Sequence, residues 1–220
     1  QDERRVQFPA HEPTAAGLIR EAADRWGDRT LVVLDDQRVT YQEVERRSAE
    51  MARSLLASGV VRGSRLGLLA PNSPDWVVAW LAATRIGAVT TLLSTYARPR
   101  ELGWALGHSG VEVLLTVDRY LGHRYPEELE TAISGLADQR HGEIEVASHP
   151  DLTTVYLWNG TDRRWASTVD GLVAEASGTT DTELATAEAA VGPDDPMVIM
   201  YTSGSTAEPK GVIHGHGAVV

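Results

Sequence analysis

Apolar residues recur along the chain with two alternating periodicities, one helical and one extended. Leu18, Ile19 and Ala22 have helical spacing, which predicts a helix over Thr14 to Trp26 with Thr14 as its cap. Leu31 to Leu34 and Arg38 to Thr40, joined across Asp35, Asp36 and Gln37, have the form of a hairpin. Tyr41 to Ser58 follows as a long amphipathic helix that Gly59 is placed to end. Arg65 to Ala70 is a buried type of strand, and Ser73 with Pro74 caps a helix over Trp76 to Ile86. Strands at Ala88 to Leu93, Val111 to Val117 and Thr153 to Trp158 alternate with helices at Pro99 to Leu106 and Pro126 to Leu136. Met197 to Tyr201 and Gly211 to His214 are two further short strands.

Strictly alternating elements of this kind predict an α/β fold: a doubly wound, mainly parallel sheet with flanking helices and right-handed crossovers. Residues 1–13 form a polar N-terminal extension, 14–176 the sheet subdomain, and 177–196 a linker. Residues 197–220 hold a strand, a loop, a second strand and the start of another helix. Residues 138–151 and 177–196 are rich in small, acidic and polar side chains, which predicts surface loops. Trp76 and Trp80 are four apart on one helical face, the spacing of core packing.

Composition narrows the function. A chain of 220 residues that is 42% apolar can bury a substantial core in one or two domains. Its net charge of -11, without a basic cluster, argues against nucleic acid and anionic membrane surfaces as partners. The absence of cysteine excludes disulfides and cysteine-ligated zinc and fits a cytoplasmic protein. The longest apolar stretch, Trp76 to Ala83, is too short to span a membrane, and the polar Gln1 to Arg5 opening is not a signal peptide. His214 and His216 have a two-residue spacing but no third ligand in view, so no metal is assigned to them.

The chemistry is concentrated in Tyr201 to Val212, which reads YTSGSTAEPKGV and contains Lys210, the only lysine among 20 basic residues. An ammonium group is a compact point charge on a flexible stem, which the planar arginine fork does not supply. Thr202, Ser203, Ser205 and Thr206 add hydroxyls, while Gly204 and Gly211 let backbone amides approach an anion closely. Together they fit a polyphosphate. The strand-to-strand setting separates this loop from the Walker pattern G-x-x-x-x-G-K-S/T: five residues lie between Gly204 and Lys210, and Gly211 stands where Ser or Thr belongs. Arg98 and Arg100 flank Pro99 at a solvated helix start and offer a further anion contact.

At these residues the chain resembles the adenylate-forming superfamily, whose phosphate-binding signature has the form Y/F-T-S-G-S/T-T-G-x-P-K-G-V. Tyr201 to Val212 departs from it only at Ala207, where a Cβ restricts positive φ. The likeness continues in Thr40 to Glu43, Gly59 to Asn72, Arg85 to Val89 and Pro99 to Leu102, and covers most of residues 14–220. The resemblance implies the N-terminal part of the large domain of an acyl-CoA synthetase. Such an enzyme takes ATP with Mg2+, a carboxylic acid, expected here to be a fatty acid, and coenzyme A. It further implies catalytic roles for Lys210 and Thr206, cofactor contacts from Thr202, Ser203, Gly204, Ser205, Thr206, Lys210 and Gly211, and a substrate-side place for His216.

The family's adenine, metal, acyl and lid elements all follow the phosphate loop. The chain alone is therefore expected to be an inactive fragment, missing the C-terminal part of the enzyme and prone to self-association through an uncovered apolar face. His214 to Val220 begins a helix without a stop signal, as expected of a chain that continues. Two alternatives stay open: a stand-alone nucleotide- or partner-binding module, and an adenylation domain that loads a carrier protein.

Overall fold

A computed structural model describes residues 12–175, 178–202 and 209–220. Its elements start where hydroxyls satisfy free backbone amides. Thr14 Oγ1 accepts from Gly17 N at 3.1 Å and opens α1 (Ala15–Trp26). Thr40 accepts from Glu43 N at 3.2 Å and opens α2 (Tyr41–Ala57), and Ser73 accepts from Trp76 N at 3.1 Å and opens α3 (Pro74–Arg85). Each such cap contributes about 1 kcal/mol. Gly59 ends α2 at φ 90°, in the left-handed region that only glycine enters without strain.

Strands β1 (Thr30–Leu34) and β2 (Gln37–Thr40) pair as a separate antiparallel hairpin. The main sheet contains β3 (Arg65–Leu69), β4 (Val89–Leu92), β5 (Val113–Val117), β8 (Thr154–Trp158), β9 (Ser167–Thr168), β10 (Pro196–Thr202) and β11 (Lys210–Gly215). A short ribbon, β6 (Arg119–Tyr120) with β7 (His123–Arg124), lies outside it. The spatial order is β11-β10-β4-β3-β5-β8-β9, with every neighbouring pair parallel except β10 and β11. The expected doubly wound, mainly parallel sheet is thus observed.

Side chains alternate across this sheet. Leu66, Leu68, Val113, Leu115 and Tyr156 pack on one face with Leu55 of α2, Val78 of α3, Leu172 of α6 (Val169–Glu175) and Leu184 of α7 (Asp181–Ala189). Leu69, Leu114, Val155 and Leu157 pack on the other with Leu102 and Leu106 of α4 (Pro99–Ser109) and Leu129 of α5 (Tyr125–Ala132). Each fully buried leucine contributes roughly 2 kcal/mol. Trp76 and Trp80 stack at 5.8 Å against the first cluster, and Trp80 Nε1 donates to Thr90 Oγ1 at 3.1 Å, so both serve packing.

Three stretches differ from the sequence expectation. The helix expected over Pro126 to Leu136 stops at Ala132, Gly135 turns left-handed at φ 90°, and a 3-10 turn (Leu136–Asp138) follows. That break lets Ile133 and Leu136 both enter the core. Residues 138–151 are not merely a surface loop, because Ile144, Val146 and His149 are buried and His149 Nε2 bonds the Gly103 carbonyl at 2.8 Å. Residues 177–196 hold α7, opened by a capping box in which Thr180 and Glu183 bond each other's backbone amides.

Helix α7 lies on the connection that carries the chain from β9, at one sheet edge, back past α2 to β10, beside β4. Arginines pin this crossing at three points: Arg53 bonds Asp181 at 2.9 Å, Arg85 bonds Glu188, and Arg62 bonds Asp195 through Nε at 2.8 Å. Arg85 is the buried one. Its guanidinium also donates to Ser48 Oγ at 2.9 Å, Glu45 O at 3.1 Å and Glu45 Oε1 at 3.0 Å, while Arg20 approaches Glu188 from α1.

Removing Glu188 leaves the buried Arg85 with the partly exposed Glu45 as its remaining carboxylate partner. Glu188→Ala is therefore expected to destabilise the chain by about 3 kcal/mol in urea unfolding. Arg46→Ala, at an exposed helical pair with Glu50, changes stability by less than about 1 kcal/mol. Equal effects of the two substitutions would contradict the clamp.

Candidate functional site

A cleft of about 530 Å³ opens at the C-terminal ends of β4 and β10, the edge where parallel α/β sheets receive ligands. Three segments line it. Leu92, Leu93, Ser94, Tyr96 and Ala97 come from β4 and the loop after it, Glu101, Leu102 and Ala105 from α4, and Met200, Tyr201 and Pro209 from the hairpin arms. The lining is largely apolar, with Ser94, Glu101 and the two tyrosines as its polar groups.

The loop between β4 and α4 is fixed from below and at its end. Tyr125, fully buried at the start of α5, donates its hydroxyl to the Thr95 carbonyl at 2.9 Å. Burial pushes this phenol up to about 12, with Glu128 acting in the same direction. Arg98 N donates to Glu101 Oε2 at 2.8 Å and Pro99 occupies the first turn, so the Arg98 to Glu101 segment is built as a helix start.

The hairpin brings Lys210 to this edge. Thr202 pairs with Lys210 and Tyr201 with Gly211, and Lys210 is exposed at the first position of β11. Ser203, Gly204, Ser205 and Thr206, together with Ala207 and Glu208, lie outside the described residues. Their chain neighbours Tyr201 and Pro209 both line the cleft.

Tyr201 anchors the hairpin on α4. Its ring meets Trp104 edge-on at 5.3 Å and 71°, and its hydroxyl lies 2.9 Å from His108 Nδ1 and 3.4 Å from the Ala105 carbonyl. Burial raises this phenol above its ordinary value. A Cβ on Gly211 would stand 3.1 Å from the Tyr201 ring and 3.4 Å from Ile199. The φ of Gly211 is not positive. The glycine was expected to let an amide approach an anion; what the described geometry requires of it is room for the ring.

His216 does not join Lys210. It follows β11, six residues along an extended strand, which separates the two by about 20 Å. The imidazole is fully buried, and its Nδ1 accepts the first amide of α1, Ala15 N, at 3.2 Å. Burial lowers its pKa, opposed by Asp195, and so favours the neutral form that can accept. In the described chain His216 thus ties the end of the hairpin to α1. Among the described residues no group of three or more His, Asp or Glu side chains could hold a metal ion, so no ligand set for Mg2+ is found there.

The sequence singles out Lys210 and does not single out Tyr125, Trp104 or His108. Nothing local marks those three, because each acts across a long sequence separation.

The family model described as "AMP-binding enzyme" matches residues 19–220. The chain is 29% identical over 214 residues to a putative acyl-CoA synthetase, YngI, of Bacillus subtilis (strain 168), covering 94% of this chain and 38% of that protein. It is 34% identical over 208 residues to a 3-hydroxybenzoate--CoA ligase of Aromatoleum sp. (strain CIB), covering 94% and 34%. The solved structure of the anthranilate CoA ligase AuaEII with anthranoyl-AMP shares the fold at a TM-score of 0.72 and 18% identity, covering 95% of this chain and 36% of that one. The chain thus spans little more than a third of the length of these proteins.

Two outcomes test the site geometry. Gly211→Ala is expected to cost about 1 kcal/mol, and much less in a Tyr201→Ala background, because the ring is what the new methyl meets. Equal costs in both backgrounds would contradict the packing role. For Tyr125 the folded pKa lies above the unfolded value of 10.0, so its contribution is fully present below that pH and is lost as pH rises towards about 12. Tyr125→Phe should flatten the fall in urea midpoint between about pH 10 and pH 12. An unchanged fall would contradict the assignment.

Proposed function

The chain belongs to the AMP-binding enzyme family, and from that premise we propose that the protein it forms part of is an acid–thiol ligase. A carboxylate oxygen of the acid attacks the α-phosphorus of ATP, the bond to pyrophosphate breaks, and the acyl adenylate then passes its acyl group to the thiol of coenzyme A. The observation that carries this reading is Lys210, the only lysine of the chain, held opposite Thr202 at the mouth of a hairpin whose arms line the cleft.

Charge accumulates on the leaving pyrophosphate as the bond lengthens, and preorganised ammonium, hydroxyl and amide donors stabilise it. Lys210 supplies the ammonium, with Thr202, Ser203, Ser205 and Thr206 as hydroxyl donors and Gly204 as a backbone contact. Mg2+ enters only as the counterion that accompanies ATP, and no step is assigned to it. A fatty acid fits the apolar lining from Leu92, Leu93, Leu102 and Met200. Coenzyme A as acceptor is supported by the relatives described above, which are named as CoA ligases and synthetases.

Activity belongs to the longer protein. Val212 and Ile213 on β11 are 40% and 58% exposed, which supports a further segment covering this strand. No described helix is long and apolar enough to cross a membrane.

In the complete protein, Lys210→Ala is expected to lower ATP–pyrophosphate exchange by about a hundredfold, the loss typical of one transition-state donor, with little change in unfolding midpoint. Lys210→Arg asks whether charge alone suffices. Exchange unchanged in Lys210→Ala would overturn the assignment.

A further inference from the structure

Strand β11 pairs with β10 alone among the described residues, and most of its side chains are exposed. Where Lys210 stands relative to the cleft therefore depends on what holds the hairpin against the rest of the molecule. Besides the pairing of β10 with β4 and the His216 bond to α1, the Tyr201 side chain spans that gap. The Tyr201 ring lies across Gly211, the residue after Lys210, and so touches both strands of the hairpin. On its other side the ring meets Trp104, and its hydroxyl meets His108.

His108 is itself held, because its imidazole stacks on Trp104 at 4.5 Å and 18°. Both residues belong to α4, whose first turns supply Glu101, Leu102 and Ala105 to the cleft wall. A chain of contacts thus runs from the cleft wall through His108 and Tyr201 to the backbone beside Lys210. The hydroxyl end of this chain has a definite geometry: with the imidazole proton on Nε2, Nδ1 accepts from the phenol at 2.9 Å, while the Ala105 carbonyl lies further off at 3.4 Å.

We propose that His108 is a positioning residue for Lys210, fixing the Tyr201 ring over Gly211 and so the place of Lys210 beside the cleft. The inference rests on the adenylating role of Lys210 proposed above, and its test separates the two.

Because Lys210 is the only lysine, the 220-residue chain labelled with 15N-lysine gives a single lysine amide resonance, which reports the backbone position directly. His108→Phe keeps a ring to stack on Trp104 and removes the acceptor, Tyr201→Phe removes the hydroxyl alone, and His108→Asn places an oxygen where Nδ1 stood. The resonance is expected to shift or broaden in both Phe variants and to stay at its native position in His108→Asn, all measured well below their unfolding temperatures. An unmoved resonance in the Phe variants, or the same shift in His108→Asn, would overturn the proposal.

In the complete protein, His108→Phe should lower kcat for ATP–pyrophosphate exchange about tenfold with a smaller change in KM for ATP, since a small misplacement of a transition-state donor acts on the chemical step. His108→Asn should restore it. The double variant with Tyr201→Phe should be no worse than either single one, because both break the same hydrogen bond. Additive losses, or a loss that only follows thermal stability, would count against positioning. If the resonance behaves as expected while Lys210→Ala leaves exchange intact, the positioning stands and the adenylating reading fails.

Discussion

The buried contact between Arg85 and Glu188 is the constraint on which the site depends. Arg85 ends α3, Glu188 lies near the end of α7, and both side chains are almost wholly withdrawn from water. Such a pair is costly to bury, and here Ser48 and Glu45 accept further hydrogen bonds from the Arg85 guanidinium. Its consequence is topological. The chain leaves the sheet at β9 and must re-enter on the far side of β4, and the clamp fixes where α7 stops and β10 begins. Arg62 and Asp195 complete the turn into β10, with Arg62 holding the Asp195 carboxyl below its usual range.

Once β10 is beside β4, the functional geometry follows from packing. Parallel register places Met200 opposite Leu92, and the next residue, Tyr201, reaches α4. The loop after β4 is fixed by Tyr125 and the hairpin by Tyr201, so two buried or half-buried phenols define the two sides of one cleft. At the other end of the hairpin, His216 ties the chain to the first amide of α1. The described part of the hairpin is thereby held at its base and along its inner face, while most of β11 is exposed.

Much of this was legible in the sequence where the signal is local. Thr14, Thr40 and Ser73 precede their helices and cap them, Gly59 ends α2, and the apolar runs of β3, β4 and β5 become central strands. Helix α7 was not legible, because its apolar residues other than Leu184 are alanines that form no stripe; its one cue was the Thr180 and Glu183 capping box. Residues 138–151 bury only scattered side chains, too sparse to show a period. At the site, the unusual chemistry of a lone lysine was visible. The packing that places it was not, since His108 and Tyr201 meet across ninety-three positions and the steric reason for Gly211 exists only once β10 and β11 pair.

The central claim is that this clamped hairpin presents Lys210 to a polyphosphate. The most direct measurement is the rate of amine acylation of Lys210 in the 220-residue chain, followed by mass spectrometry with the α-amino group as internal control. With a single lysine, the signal is unambiguous. Pyrophosphate and ATP are expected to slow the modification of Lys210, while adenosine does not and the α-amino rate stays constant. A Lys210 rate indifferent to pyrophosphate and ATP at saturating concentration would contradict it.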